Sequence, residues 1–231
     1  MQNQRKKALY FRKKNVKDTY RHKGLRKKLI AVLREKGMKD ELVLKAMATI
    51  PRHLFLEKAF EEWAYTDKAF PIGNKQTISQ PFTVAYQTSL LEVKKRDNIL
   101  EIGTGSGYQA AILTFLGARV YTVERQETLY RKTTPLLKDL GFKKIRTYLR
   151  DGSKGLPDYA PYDKIIVTAA AATIPHSLLE QLKVGGILII PVGEKVQKMC
   201  KIIRLTETRY SREYFRDFKF VPLLSGLNKE R

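Results

Sequence analysis

Residues 98–108 read Asn-Ile-Leu-Glu-Ile-Gly-Thr-Gly-Ser-Gly-Tyr. The stretch begins as a short apolar run interrupted by one carboxylate, which is typical of a buried parallel strand. Three glycines follow at alternate positions, and a helical pattern of apolar residues resumes at Tyr108. A strand, a glycine turn and a helix in this order predict the first crossover of a nucleotide-binding α/β domain.

The spacing of the glycines argues against a dinucleotide ligand. The dinucleotide fingerprint is Gly-x-Gly-x-x-Gly, whereas here Gly107 comes one residue early and Tyr108 holds the expected position. Glu101 places a carboxylate at the end of the strand. Glu124 ends the next apolar run, where an acid can accept hydrogen bonds from both ribose hydroxyls. This pattern favours a nucleoside that carries positive charge, such as S-adenosylmethionine. The alternative is a tight turn that holds no ligand.

Composition indicates a globular protein of a reducing compartment. The 231 residues suit one domain with a modest extension, and 43% hydrophobic residues can supply a core. The single cysteine, Cys200, excludes a disulfide framework. The charged N-terminus predicts no signal peptide, and no apolar run approaches the roughly 20 residues that span a bilayer. We therefore expect a cytoplasmic protein. No apolar stripe is obviously surplus to the core, so the sequence carries no signal for oligomeric state, and we expect a monomer by default.

Positive charge is concentrated at the start of the chain. The net charge is +22, and residues 1–28 carry twelve Lys or Arg against one acid, Asp18. We assign residues 1–24 to a basic, flexible arm. Such an arm can bind nucleic acid or another anionic surface. The alternative is a solvated tail, which we prefer because few aromatic residues are interleaved with the charges.

The rest of the chain reads as one catalytic domain, residues 25–224, followed by a short tail, residues 225–231. Apolar periodicity predicts a first helix from Leu25 to Gly37 and a second between Asp40 and Pro51. Pro81 is placed to open a third helix. These helices belong to an N-terminal part, residues 25–95, which also carries the polar segment 77–80.

Strands and helices then alternate, which predicts an α/β fold with a doubly wound, mostly parallel seven-stranded sheet. No helix separates the last two strands, so we expect an antiparallel edge. The expected strands are 99–102, 120–123, 145–149, 163–168, 184–191, 198–205 and 214–223. Ligand residues of such folds follow the carboxyl ends of the strands. That edge is expected to hold Glu101, Gly103, Glu124, Asp151 and Ala169. Asp151 could accept from an adenine amine or be an ordinary turn residue.

Seven segments together resemble one family. They are residues 77–82 (Thr-Ile-Ser-Gln-Pro-Phe), 100–108, 123–125 (Val-Glu-Arg), 150–152 (Arg-Asp-Gly), 162–170, 185–186 and 191–193. The chain resembles the protein-L-isoaspartate O-methyltransferases over about residues 25–224. The glycine motif alone marks only the methyltransferase superfamily, and Thr-Ile-Ser-Gln-Pro is the specific segment. Phe82 stands where bacterial members often have Tyr, and the basic arm is not part of the family pattern.

The resemblance implies a repair methyltransferase that moves a methyl group from S-adenosylmethionine to the free α-carboxylate of an isoaspartyl residue, with no metal. Spacing alone favours Ser79 as a loop residue, but the resemblance implies that it is the active-site serine. The implied cofactor contacts are Ile78, Ser79, Glu101, Gly103, Thr104, Gly105, Gly107, Glu124, Arg125, Asp151 and Gly152. Isoaspartyl proteins and peptides are the implied partners. His22, His53 and His176 are interpreted as structural or surface residues.

Two rival functions follow from the charge. A nucleic-acid base methyltransferase would resemble its class in an Asp/Asn-Pro-Pro-aromatic motif after the fourth strand, where this chain has Thr168-Ala169-Ala170-Ala171. A non-catalytic nucleic-acid-binding protein that kept the fold would have no need of the intact glycine loop and its acids. We therefore favour the repair enzyme.

Overall fold

The structure, a computed structural model, describes residues 18–229. Most of the predicted basic arm, residues 1–17, lies outside the described residues, as do residues 230–231. None of the helices between residues 18 and 229 is long and apolar enough to cross a membrane.

A seven-stranded sheet forms the centre of the molecule, in the order β5-β4-β3-β6-β7-β8-β9. The first five strands in this order are parallel to one another. The last two, β8 and β9, pair antiparallel at the edge, as predicted. Strand order reverses between β3 and β6, which is where ligands bind in open α/β sheets. The strands are β3 (Asn98–Ile102), β4 (Arg119–Glu124), β5 (Arg146–Leu149), β6 (Tyr162–Val167), β7 (Leu182–Val192), β8 (Gln197–Arg204) and β9 (Tyr210–Phe218).

Six α-helices surround the sheet in the described chain. They are α1 (Tyr20–Glu35), α2 (Glu41–Thr49), α3 (Pro81–Leu91), α4 (Tyr108–Phe115), α5 (Glu127–Asp139) and α6 (His176–Glu180). Short 3-10 helices connect them at Arg52–Phe55, Lys58–Trp63, Gly152–Lys154 and Pro157–Tyr159. Alternate strand residues face opposite layers. Thus Ile99 packs with helices α1 to α5, whereas Leu100 packs with α6.

A small hairpin carries the specific segment. Strands β1 (Phe70–Gly73) and β2 (Gln76–Ile78) pair antiparallel, with Phe70 opposite Ile78. Ile78 is buried, and Pro81 begins α3 three residues later. The hairpin and the first turn of α3 therefore hold Ser79 between two fixed elements.

Two sequence predictions of boundaries are wrong. Helix α1 begins at Tyr20 instead of Leu25, because Thr19 caps it by accepting from the backbone of His22 at 3.3 Å. Residues 20–24, assigned to the flexible arm, are thus its first turn. Strand β9 ends at Phe218, short of the predicted 223. The predicted tail is also held in place, because Asn228 bonds to the backbone on both sides of Gln126.

Candidate active site

A cavity lies at the carboxyl ends of β3, β4 and β6, at the reversal point of the sheet. Its walls come from the hairpin, the glycine loop, the end of β4 and a segment near the C-terminus. The lining residues are Gln76, Thr77, Ile78, Ser79, Val84, Ile102, Gly103, Thr104, Gly105, Ser106, Tyr108, Gln109, Val123, Glu124, Arg125, Gln126, Gly152, Thr168 and residues 221–224. We call it the inner cavity.

The glycine loop leaves no room for a side chain at Gly103. Gly103 has a φ of +97°, and a Cβ there would lie 2.5 Å from the Thr168 hydroxyl oxygen. That hydroxyl donates to the carbonyl oxygens of Ile102 (3.0 Å) and Gly103 (2.8 Å). Thr168 therefore ties the loop after β3 to the end of β6, and only glycine fits between them.

Gly107 is one of the cofactor contacts that the family resemblance implies. It does not line the inner cavity, and a Cβ there would meet the Thr133 methyl at 2.9 Å and Leu137 at 3.0 Å. Both residues belong to α5. Gly107 therefore allows close packing of the loop against that helix.

Glu124, which ends β4, holds the glycine loop in place. One carboxylate oxygen accepts from the Gly105 backbone N–H (2.8 Å) and the other from Gln126 N–H (2.9 Å). Burial raises the pKa of Glu124, and these backbone hydrogen bonds oppose that shift. Each oxygen keeps a lone pair that can accept from a ligand hydroxyl.

Glu101 belongs to β3 and does not line the inner cavity. It is fully buried, and neither carboxylate oxygen has a hydrogen-bond partner among the described residues. The Thr122 side chain lies close by, and its hydroxyl pairs with the Thr104 hydroxyl at 2.7 Å. Burial is the main influence on the pKa of Glu101, and Thr122 only partly opposes its effect. Burial raises the pKa of Glu101 to about 8, and the negative charge of Glu124 adds to this. A cation bound in the cavity would favour the ionised form of Glu101, although Glu101 does not line the cavity.

The Asp151 carboxylate accepts hydrogen bonds from other residues of the same chain. One oxygen accepts from the backbone and hydroxyl of Ser153 (3.0 and 2.7 Å), and the other from the Gly226 N–H (2.8 Å). Partial burial favours the neutral acid, but these hydrogen bonds outweigh it and lower the pKa of Asp151. Gly152, and not Asp151, lines the cavity.

The segment after β9 closes one side of the cavity, which the sequence did not predict. Ala170 donates to the Val221 carbonyl (2.8 Å), and its own carbonyl accepts from Leu223 N–H (2.6 Å). The Arg125 guanidinium donates to the Gly226 carbonyl at 2.8 Å. Residues 221–228 thus cross the carboxyl ends of β6, β5 and β4. An apolar run after a strand looks like more strand, so the sequence carried no signal for this path.

The structure brings together most of the predicted cofactor residues. Eight of them line the inner cavity, namely Ile78, Ser79, Gly103, Thr104, Gly105, Glu124, Arg125 and Gly152. Glu101, Gly107 and Asp151 do not. Lining residues that the sequence reasoning missed include Gln109, whose buried Oε1 has no partner among the described residues. An unpartnered buried acceptor at the wall can bind a donor of a ligand.

Ser79 lies between the inner cavity and a second space, which we call the outer groove. The outer groove has a volume of about 680 Å³ and is bounded by the loop before β1, the start of α3 and the end of β9. Ser79, Thr77 and Thr168 line both spaces. Within residues 18–229 the Ser79 hydroxyl makes no hydrogen bond, so it is available to a ligand.

Arg52 fixes the backbone of Ser79 and was missed by sequence reasoning. Its guanidinium is fully buried, donates to the carbonyls of Ser79 (2.8 Å) and Ala64 (3.1 Å), and lies 5.0 Å from the centre of the Tyr108 ring. Burial lowers the pKa of Arg52 to about 10. Its Nη1 has no partner among the described residues. An arginine between proline and histidine looks like a surface residue, so no sequence signal indicated this role.

The histidines take structural positions. His22 and His53 stack with ring centres 3.9 Å apart, His53 shares a hydrogen bond with the Tyr65 hydroxyl (2.7 Å), and His22 lies 3.1 Å from Glu61. His176 is exposed at the start of α6. No histidine or cysteine among the described residues lines either space.

The sheet order, the glycine loop at its reversal point and the acid that ends the next strand define an S-adenosylmethionine-dependent methyltransferase fold. A sequence model of the protein-L-isoaspartate(D-aspartate) O-methyltransferase family matches residues 24–228. The chain belongs to this family, which confirms the predicted resemblance and fold class.

Close relatives carry the same name. The protein-L-isoaspartate O-methyltransferase of Flavobacterium psychrophilum is 58% identical over 213 residues, which are 92% of this chain and 100% of the relative. That of Christiangramia forsetii is 55% identical over the same shares of the two chains.

Solved structures agree with the fold. A protein-L-isoaspartate O-methyltransferase structure matches 87% of this chain and 67% of its own, with a TM-score of 0.79 and 29% identity. A Plasmodium falciparum structure described as a putative member, in complex with S-adenosyl-L-homocysteine, matches 86% of this chain and 98% of its own. Its TM-score is 0.76 and its identity is 22%, so it supports the fold alone.

Proposed function

We propose that this family member repairs damaged proteins by methylating the free α-carboxylate of isoaspartyl residues, and that Ser79 orients that carboxylate. The position of Ser79 carries the proposal, since it lies where the inner cavity and the outer groove meet. A cofactor in one space and a peptide in the other would both reach this residue. The methyl ester then closes to a succinimide without the enzyme, and hydrolysis returns part of it to aspartate.

The inner cavity suits S-adenosylmethionine, the family cofactor. It supplies, when bound, a methyl group on a positively charged sulfur. Glu124 has lone pairs for two ribose hydroxyls, and Gly103 and Gly105 let the backbone approach the ligand. The buried Gln109 Oε1 offers one further acceptor. Asp151 Oδ2 accepts one hydrogen bond, from Gly226, and keeps a lone pair that could accept from the adenine amine, although Asp151 does not line the inner cavity.

The substrate needs no general base. A free α-carboxyl has a pKa of roughly 3.3–3.7, so it is ionised at neutral pH. This agrees with the absence of histidine and cysteine from the lining of both spaces among the described residues. Opposite charges cancel as the methyl group moves, so a site that excludes water favours the transfer.

Ser79 acts by position in this account. Its hydroxyl donates to one carboxylate oxygen, and its backbone is held by Arg52 on one side and by the start of α3 on the other. A hydrogen bond to a charged group contributes about 1.5–3 kcal/mol. Correct positioning of two reactants can supply roughly 7–11 kcal/mol in total. Thr77 offers a further hydroxyl at the same junction, whereas the Thr168 hydroxyl donates its proton to the carbonyls of Ile102 and Gly103.

Three features stay predictions. We propose that the protein acts in the cytoplasm, acts as a monomer, and has one catalytic domain. The sequence predicts residues 25–224 for this domain, and the family match extends it over residues 24–228. The basic arm is not required for the chemistry. Nucleic acid is not proposed as a substrate.

The test uses two peptides that are identical except for isoaspartate or aspartate at one position. Labelled methyl is transferred from S-adenosylmethionine, and the product is treated with mild base. We expect base-labile label on the isoaspartyl peptide alone, because a carboxyl ester hydrolyses in base. Label on both peptides, or label that resists base, would overturn the proposal.

A further inference from the structure

The outer groove carries exposed positive charge beside Ser79. Lys68, Arg216 and Lys219 line it and are exposed to solvent. None of the three forms an ion pair with any residue between 18 and 229. Lys68 comes from the loop before β1, and the other two come from the end of β9 and the residue after it, so different elements supply the charge.

The acids of the groove do not balance these cations. Asp67 is nearly buried and accepts from the Phe82 N–H (2.8 Å), from Gln80 (3.0 Å) and from the ammonium of Lys36 (2.6 Å). Asp217 lies opposite Lys198 in the register of β9 and β8. Asp67 is therefore paired with Lys36, while Asp217 forms no ion pair within residues 18–229. Two acids face the three cations and Lys36, so the net charge of the groove is positive.

Aromatic residues form the apolar part of the groove. The rings of Phe82 and Phe218 stack with centres 6.4 Å apart, and the Arg216 guanidinium lies 5.9 Å from the Phe82 ring. A guanidinium on an aromatic face is partly fixed in direction and still has donors for a carboxylate. An extended peptide could thus rest on the rings while its side chains meet the cations.

We propose that this enzyme prefers isoaspartyl sites flanked by acidic residues, with Lys68, Arg216 and Lys219 as specificity-determining residues. The inference rests on the proposed function, because it places the peptide in the outer groove. Each exposed contact is expected to favour an acidic neighbour by roughly twofold, which gives about tenfold for the three contacts together at low salt. The preference should fall as salt is added.

The experiment compares three isoaspartyl peptides that differ only at the residues on either side of the isoaspartate, which are Glu, Gln or Lys. We expect kcat/KM to decrease in the order Glu, Gln, Lys, with about tenfold between Glu and Gln at low salt. The triple variant Lys68→Gln, Arg216→Gln, Lys219→Gln should bring the Glu to Gln ratio close to one.

A matched control separates local contact from the field of the whole protein. Lys138→Gln, Lys143→Gln and Lys144→Gln remove the same charge from exposed positions at the end of α5 and before β5, at the other edge of the sheet from β9. This control should keep the ratio of the wild type. An equal loss in both triple variants would mean general attraction and would overturn the assignment to the groove.

The outcomes also separate this inference from the proposed function. If all three peptides are methylated at the same rate, the charge preference is wrong and the repair function stands. If the Lys peptide is the best substrate, the preference is wrong in sign. If none of the peptides is methylated while the protein binds S-adenosylmethionine, the proposed function itself fails.

Discussion

The inner cavity and the outer groove share Ser79 but are built in different ways. The cavity is formed largely by the glycine loop and by one buried acid, Glu124, which accepts from the Gly105 N–H and so holds the loop. The groove is formed by exposed side chains on three separate elements, and its cations have no ion-pair partners among the described residues. The first surface allows few substitutions, whereas the second can change without disturbing the fold.

This difference separates what is general in the protein from what is particular. Cofactor binding depends on close approach of backbone, which any member of the fold class must preserve. Peptide choice depends on charges that each chain can set for itself. We therefore expect variants in the cavity to abolish catalysis, and variants in the groove to change the order of preferred peptides.

We expect the largest effect from a substitution in the inner cavity that leaves the outer groove unchanged. Gly103→Ala should lower the affinity for S-adenosylmethionine about 100-fold, because a positive φ and a contact of 2.5 Å with Thr168 together amount to about 3 kcal/mol of strain. Calorimetric titration measures the affinity. Adding Thr168→Ala removes the clashing oxygen and should restore part of it.

Gly185→Ala is the matched control for this variant. Gly185 has a φ of +79° but no atom within 4 Å of the place where a Cβ would lie, and it belongs to β7, away from the cavity. It should lower the melting temperature and keep the cofactor affinity. Wild-type affinity in Gly103→Ala would show that the loop can move aside, contrary to our description.

We expect the second-largest effect from removing the Arg52 guanidinium, which donates to the backbone of Ser79 at the junction of the two spaces. Arg52→Met leaves the carbonyls of Ser79 and Ala64 without their buried donor, so we expect a loss of about 2 kcal/mol of stability and a tenfold lower kcat/KM for an isoaspartyl peptide. Arg52→Lys should recover little, because one ammonium cannot reproduce the fork of a guanidinium.

Thermal unfolding and steady-state kinetics together check this prediction. Arg34→Gln removes an exposed arginine that pairs with Glu41, and it should leave both measurements near wild type. If Arg52→Met keeps full kcat/KM while its melting temperature falls, Arg52 supports the fold but does not position Ser79.

A smaller effect is expected in the pH dependence of stability. Glu101 has a pKa raised by burial to about 8, so the folded protein holds a proton that the unfolded chain releases above about pH 4.5. Stability of the ligand-free protein should therefore fall as pH rises from about 5 to 8, by about 2 kcal/mol between pH 6 and 8.

Glu101→Gln should remove most of this slope and raise stability at pH 8. Urea unfolding at pH 6 and pH 8 measures both effects. Glu35→Gln, at an exposed position of α1, serves as the control and should keep the wild-type slope. An unchanged slope in Glu101→Gln would mean that another group causes the pH dependence.

Sequence reasoning succeeded where one local pattern decides the structure. The glycine turn between β3 and α4, the position of Glu124 at the end of β4 and the antiparallel end of the sheet were all predicted, because each depends on short-range spacing. It failed where the structure depends on contacts between distant segments. Arg52 reaches Ser79 across 27 positions, and the Gly226 N–H meets Asp151 across 75.

Ser79 shows the limit most clearly. Its spacing favoured a loop residue, and only the resemblance to a family indicated an active-site role. The structure adds one observation that neither could give, which is that the residue borders two spaces.

Ser79→Ala tests the central claim most directly. We expect kcat/KM for an isoaspartyl peptide to fall about 10- to 100-fold, from loss of one hydrogen bond to a charged group, while the Kd for S-adenosylmethionine changes far less. Ser89→Ala, which lies in α3 outside both spaces, should behave as wild type. Full kcat/KM in Ser79→Ala, or a loss confined to cofactor affinity, would contradict the role of Ser79 at the junction.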